Sequence, residues 1–322
     1  MVLKLVYISV LLIWCIYPLE SAWYRNLNEN QDQMIARPGC NPKCGNVSIF
    51  FPFGMQSPKC YASKAFEIEC RLNNNTSQGG KPVPYLKNIS LEVMYINVVG
   101  GAVVIKNPIL NRGKDCERTA KGINLEGSPF VYSQKYNSFV AVGCQSAAFM
   151  MSNDTILTAC VSVCHDDLNN DNGIDIDSCR GSYCCDTSLP PNLSAYNISF
   201  ETVEVTRQGE ANLQGAVPAE CGYALIRADY DTFNYVYDEY NSSYWAPTLG
   251  ALESANDVPA VLEWEIPIQT PNNSFTEFPG YEDASYNCSL TNITSSQYSH
   301  SGWRCSCTYG FQGNPYIQGG CK

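Results

Sequence analysis

The chain runs to 322 residues with a formal net charge of −11 and seventeen cysteines. That length suffices for two domains. The cysteine load argues against a reducing compartment, and nothing after the first twenty-two residues approaches the run of about eighteen apolar residues that a membrane span requires.

Residues 1–22, MVLKLVYISVLLIWCIYPLESA, place one lysine before an apolar run and end on the small residues Ser21 and Ala22. This is the outline of a secretory signal peptide, so the mature chain is expected to be extracellular. Cys15 leaves with that segment. The cysteines that remain are Cys40, Cys44, Cys60, Cys70, Cys116, Cys144, Cys160, Cys164, Cys179, Cys184, Cys185, Cys221, Cys288, Cys305, Cys307 and Cys321. An even set of thiols in an exported chain reads as disulfides, whose connectivity spacing does not reveal. Eleven Asn-x-Ser/Thr triplets agree with export, at Asn46, Asn74, Asn75, Asn88, Asn153, Asn192, Asn197, Asn241, Asn272, Asn287 and Asn292; each is an N-glycosylation acceptor by sequence.

Residues 23–39 are polar. The stretch CNPKCGNVSIFFPFG then sets Cys40 and Cys44 four apart. A zinc knuckle needs four deprotonated ligands, and the whole chain offers only His165 and His300 beside its cysteines, so half-cystines are the expectation. The same logic makes Cys184 and Cys185 members of two different bridges. Strand signals follow in order: VSIFFPF at 47–53, then AFEIEC at 65–70 with Phe66, Ile68 and Cys70 on one face. After the loop NNNTSQGG, residues 88–105 read as two strands joined by a two-residue hairpin at Gly100-Gly101. Further strands are expected at 138–144, 198–205, 222–228, 233–240 and 261–266, with a short helix near 244–255 and a Pro/Asn-rich connector at 267–282. The class is mostly β: a disulfide-rich, two-lobe extracellular module with a partial EGF-like C-terminal tail.

Charge divides the lobes. Residues 37–135 hold thirteen Lys/Arg against six Asp/Glu, whereas residues 136–322 hold five against twenty-two. A basic β lobe is therefore expected over 39–135, an acidic cysteine-rich β lobe over 136–270 and the EGF-like segment over 283–322. A basic lobe outside the cell meets polyanions, chiefly acidic polysaccharide or anionic lipid, and loses affinity as salt rises. No nucleic-acid partner is expected. The candidate binding cations are Lys43, Lys59, Lys64, Arg71, Lys81 and Lys87. The plainer reading is that such lysines only solvate a glycosylated surface.

The loop CHDDLNNDNGIDIDSC, residues 164–179, gathers aspartates. Asp167, Asn169 and Asp171 have calcium-loop spacing, but Gly173 falls one place late and Ser178 stands where a glutamate is needed. A solvated acidic loop is the first reading; a calcium site of another geometry stays open, and no other cofactor is expected. Nucleophile-elbow, zincin, phosphate-loop and kinase motifs are absent. Glu263 and Glu265 share a strand face around Trp264, which is common on an exposed strand. The chain is not expected to be an enzyme.

The motifs GCNPKCGNVSIFFPFGM and KCYASKAFEIEC resemble the galacturonan-binding domain of plant wall-associated receptor kinases. GCQSAAFM, ACVSVC, GSYCCDTSLP, VLEWEI and CSCTYGFQGNPY resemble later landmarks of the same ectodomain, in the same order, over residues 39–322. The resemblance implies a module at the cell wall or the outer face of the plasma membrane that binds homogalacturonan or oligogalacturonides. In such receptors an EGF region, a transmembrane helix and a Ser/Thr kinase follow. This chain stops at Lys322, so kinase activity is not carried over, and membrane attachment would come only through a downstream anchor. The other reading is an ectodomain or secreted decoy that recognises a protein or peptide ligand through the acidic lobe.

Overall fold

A computed structural model describes residues 35–72, 80–112, 122–163, 179, 183–203, 222–229, 255–268, 284–294 and 299–322. The structure is mostly strand, and it falls into two compact units. The first holds the described residues within 1–88, 274–287 and 305–322; the second holds those within 89–273 and 288–304.

The first unit is built around aromatic rings and cystines. Strands β1 (Lys43–Cys44) and β2 (Val47–Ser48) form a short antiparallel ribbon, with Lys43 opposite Ser48. The apolar run that follows does not continue as a strand, contrary to expectation. Pro52 has no N–H to give a ladder, and the chain turns instead, the Phe53 amide donating to the Phe50 carbonyl at 2.8 Å. Continuous apolarity here signals burial and not extension: Ile49, Phe51 and Phe53 are all essentially inaccessible to water. Phe53 meets Phe66 edge to face at 5.2 Å between centroids, a favoured aromatic arrangement. Gly54 ends this run because any side chain would enter the Cys60 backbone, where a Cβ would lie 2.0 Å from the carbonyl oxygen.

Two 3-10 turns, Pro58–Cys60 and Lys64–Phe66, lead to β3 (Ile68–Leu72), which pairs antiparallel with β4 (Pro82–Leu86). Phe66 and Ile68 are buried as the alternation predicts, whereas Cys70 is exposed and tied to Cys44. The opening Cys-x3-Cys is thus a pair of staples, Cys40 to Cys60 and Cys44 to Cys70. In the C-terminal part of the unit, Cys307 is joined to Cys321, and Asn314, 1 % exposed, donates its Nδ2 to the Phe51 carbonyl at 2.8 Å.

The second unit is a stack of antiparallel sheets. Its strands are β5 (Leu91–Asn97), β6 (Ala102–Pro108), β7 (Leu110–Arg112), β8 (Phe130–Tyr132), β9 (Asn137–Val142), β10 (Ser146–Ser152), β11 (Thr155–Ser162), β12 (Cys184–Ser188), β13 (Asn197–Thr202), β14 (Gly222–Ala228), β15 (Asp257–Trp264), β16 (Ile266–Pro267) and the greater part of β17 (Tyr286–Thr294) and β18 (Ser299–Cys307). One sheet runs β5-β6-β15-β8, a second β12-β9-β14-β7, a third β11-β10-β13, and β16-β18-β17 makes a fourth. The hairpin between β5 and β6 needs four residues, 98–101, and not the two of the expected Gly-Gly turn. Asn97 pairs with Ala102, and its side-chain oxygen accepts from the Gly100 amide at 2.9 Å, which closes the wider loop.

β9, β14 and β15 are buried on both faces, so they read as apolar runs without alternation. Two buried asparagines are each satisfied by a pair of hydrogen bonds. Asn137 on β9 imitates a strand neighbour for Val261 on β15, its amide accepting from the Val261 N–H at 2.7 Å and donating to the Val261 carbonyl at 2.8 Å. Asn107 accepts from the Tyr132 hydroxyl and donates to the Ile226 carbonyl. Burial holds the Tyr132 and Tyr196 hydroxyls above their ordinary pKa, so both stay neutral, Tyr132 donating to Asn107 Oδ1 and Tyr196 accepting from Asn107 Nδ2 at 3.5 Å. The adjacent cysteines separate as expected: Cys184 bonds Cys179, and Cys185 bonds Cys160. Cys144, Cys288 and Cys305 are half-cystines too, while Cys116, Cys164 and Cys221 lie outside the described residues, as do the strand expected at 233–240 and, except for Ala255, the helix expected near 244–255.

Candidate polyanion-binding face

All six candidate cations lie in the first unit, Lys43, Lys59 and Arg71 next to its disulfides, Lys81 next to Pro82, and Lys64 and Lys87 near Glu67. Lys43 precedes Cys44, and Arg71 follows Cys70, so the Cys44–Cys70 bridge sets them side by side. Lys81 joins them through the backbone. Gly45, with φ of +59°, packs on Pro82 so tightly that a Cβ would fall 2.2 Å from its carbonyl oxygen. Lys59 stands beside the other staple at Cys60, its carbonyl accepting from the Arg37 guanidinium at 3.3 Å. Arg37 in turn lies flat over the Phe51 ring, 4.2 Å from its centroid. Lys64 and Lys87 flank Glu67: Lys64 opens the 3-10 turn whose carbonyl the Glu67 amide caps, and Lys87 Nζ meets the Glu67 carboxylate at 2.6 Å.

Period-two alternation then aligns one row. Lys81, Val83, Tyr85 and Lys87 share a face of the β4 segment, with Arg71 opposite Val83 and Glu69 opposite Tyr85. Six residues at about 3.3 Å each put Lys81 and Lys87 about 20 Å apart. Midway, the Arg71 guanidinium stacks on Tyr85 at 4.5 Å while its Nε and Nη2 both donate to Glu69 Oε2, at 2.8 and 2.6 Å. The face is therefore a line of cation, cation on aromatic, and cation. Its six cations differ in availability. Arg71 and Lys87 carry their own carboxylates, whereas Lys43, Lys59, Lys64 and Lys81 are exposed and, among the described residues, paired with none. The hydrogen bond that Lys87 donates to Glu67 also raises the Lys87 pKa, which keeps its ammonium charged.

Charge counting found these lysines, but it missed Tyr85, Glu67 and Glu69 as parts of the arrangement. The period-two spacing in KPVPYLK was the available signal for Tyr85. The acidic pair Glu263 and Glu265 is corrected: the strand breaks after Trp264, Glu265 turns inward at 2 % exposure, and Glu263 is bound by Arg304 at 2.8 Å and Ser133 at 2.5 Å. They do not share an exposed face. The aspartate loop of 164–178 lies outside the described residues, within which no group of three His, Cys, Asp or Glu side chains is placed to hold a metal. Of the glycosylation triplets, Asn46, Asn88, Asn153, Asn197, Asn287 and Asn292 are exposed and Asn192 half-exposed; Asn74, Asn75, Asn241 and Asn272 are outside the described residues.

The face lies inside residues 40–107, which match the family described as wall-associated receptor kinase galacturonan-binding. Over 88 % of its length the chain is 30 % identical to wall-associated receptor kinase-like 3 of Arabidopsis thaliana and 29 % identical to wall-associated receptor kinase 4 of the same plant. The chain is a wall-associated-receptor-kinase-type ectodomain. It spans 38 % and 34 % of those two relatives, and this stretch carries the galacturonan-binding domain and not a kinase domain. Such an ectodomain works on the extracellular, cell-wall side. Among its described residues no helix is long and apolar enough to cross a membrane. No solved structure matches it.

Proposed function

We propose that this ectodomain binds homogalacturonan and its oligogalacturonide fragments through the cation row of the first unit. One observation supports the reading: four exposed lysines, without carboxylate partners among the described residues, share one compact unit with an Arg-on-Tyr platform, within the galacturonan-binding match. Homogalacturonan offers one carboxylate per sugar on a stiff chain, so a fixed row of cations meets it without ordering many side chains. The Tyr85 ring supplies an apolar surface for a sugar face between the charges.

Lys43, Lys59, Lys64 and Lys81, each changed to Gln, are expected to abolish retention on de-esterified polygalacturonate at low ionic strength, with the melting temperature kept. Wild-type retention should fall as salt is raised, and methyl-esterified pectin should retain little. Undiminished retention of the quadruple variant refutes the assignment of the face, and indifference of the wild type to uronate chains refutes the function.

A further inference from the structure

The β11-β10-β13 sheet has one buried face and one wet face. Ala148, Met150, Cys160 and Ser162 point inward and are buried. On the outer face the centre strand presents Phe149 and Met151, both half-buried, and β11 adds Val161 at 44 % and Ile156 at 57 % exposure. A sheet with one solvated face ordinarily alternates to polar residues there. This face keeps its apolar residues, and contiguous exposed apolar surface marks something that covers it.

The candidate cover is written into the neighbouring strand. Met151 pairs on one side with Ile156 and on the other with Asn197, the acceptor of Asn197-Ile198-Ser199. Asn197 is exposed, on the outer face, at the start of an edge strand, and Ser199 stands opposite Phe149. Two strand spacings, about 10 Å, separate Asn197 from Ile156 across Met151. The first sugars of a glycan rooted at Asn197 would lie over that strip, their C–H faces on Met151 and Phe149 and their hydroxyls in water. A second acceptor, Asn153, sits in the β10–β11 turn at the same end.

We propose that Asn197 carries an N-linked glycan whose core covers the Phe149–Met151–Ile156 face and the start of β13, on the side where no described strand pairs with it. In the step itself a bond forms between Asn197 Nδ2 and the anomeric carbon of the sugar. The sugar–phosphate bond of a lipid-pyrophosphate oligosaccharide donor breaks, and one amide proton leaves. The glycan then does two things that the bare sheet does not: it shields apolar surface, and it blocks pairing of a second chain with the edge.

Glycopeptide mass spectrometry of the full chain secreted from plant cells tests occupancy, with chymotryptic cleavage after Tyr196 separating Asn197 from Asn192. Occupancy of Asn197 is expected. Asn197→Gln and Ser199→Ala remove the acceptor at different residues, and Ser199→Thr retains it. Both removals are expected to raise binding of a hydrophobic dye severalfold and to produce self-association at micromolar concentration, with Ser199→Thr behaving as wild type. Adding Met151→Gln and Ile156→Gln to Asn197→Gln should restore the monomer, which general misfolding would not allow. An unoccupied Asn197 overturns the proposal, as do removals that stay monomeric with unchanged dye binding. Should the removals fail to be secreted, occupancy in the wild type decides alone.

Discussion

Arg71 shows how a single surface residue can be oriented to suit the ligand we propose. Its guanidinium is oriented by the Tyr85 ring below and by Glu69 in front, and both partners of the ion pair are two-fifths exposed. The Glu69 carboxylate is chemically the group that each galacturonate would present, so it competes from within the chain for the same donors. An exposed pair of this kind is worth about 0.2–1 kcal/mol. Glu69→Gln should therefore strengthen binding to polygalacturonate by up to about fivefold at fixed ionic strength. Titration calorimetry of variant and wild type reads this directly, and unchanged or weaker binding would remove Arg71 from the binding face. A lysine at this position would lose the two-pronged contact and the stacking, since an ammonium has neither the fork nor the plane.

At the scale of elements, strands and staples follow different rules of legibility. Residues 138–142, 222–228 and 261–264 were readable as strands because short runs of Val, Ile, Phe and Leu bounded by turn residues have few other fates. Residues 47–53 carried the same signal, yet only Val47–Ser48 is strand and the chain turns over 51–53, because hydrophobicity reports burial and leaves conformation to Pro52 and its neighbours. The lysines of the face were legible as charge. The pairing of Cys44 with Cys70, and with it the meeting of Lys43, Arg71 and Lys81, depends on register between segments that composition does not encode. The inward turn of Glu265 was equally silent.

Cross-strand chemistry also sets a pH response in the second unit. Asp186 on β12 faces Ser138 on β9 and Arg227 on β14, and Asp229 reaches the same Ser138 hydroxyl at 2.8 Å. Burial raises the Asp186 pKa, and Asp229 adds to the rise, against the lowering by Arg227 and Ser138. An acid whose native pKa lies above its unfolded value near 4 binds more protons when folded. Its contribution to stability is then fully present below about pH 4 and is lost as pH rises through the raised value. Asp186→Asn fixes the neutral form. Thermal melts of both proteins between pH 3.5 and 7 should show the variant gaining relative to the wild type as pH rises. A relative loss over that range would contradict the burial argument.

Over the whole molecule, the proposed binding face rests on residues far from it in sequence. Phe51 lies at the centre of the first unit, beneath Arg37, and its carbonyl is held by Asn314 across 263 positions. Asn314 is itself fixed by the Tyr316 amide, which donates to its Oδ1 at 3.0 Å, and the segment is closed by the Cys307–Cys321 bridge. The C-terminal strip from residue 305 thus belongs to the same compact unit as the cation row. Asn314→Ala would leave the buried Phe51 carbonyl without this donor, at a cost of about 1–3 kcal/mol, a sizeable part of the 5–15 kcal/mol or so that holds a domain together. The expected outcome is a lowered melting midpoint with faster proteolysis around residues 50–66, together with weaker retention on polygalacturonate, although no cation has been touched. Asn314→Asp keeps the acceptor for Tyr316 and loses the donor to Phe51, so it should share the defect. If both variants melt and bind as the wild type does, the C-terminal strip is a passenger, and residues near the cations support the face unaided.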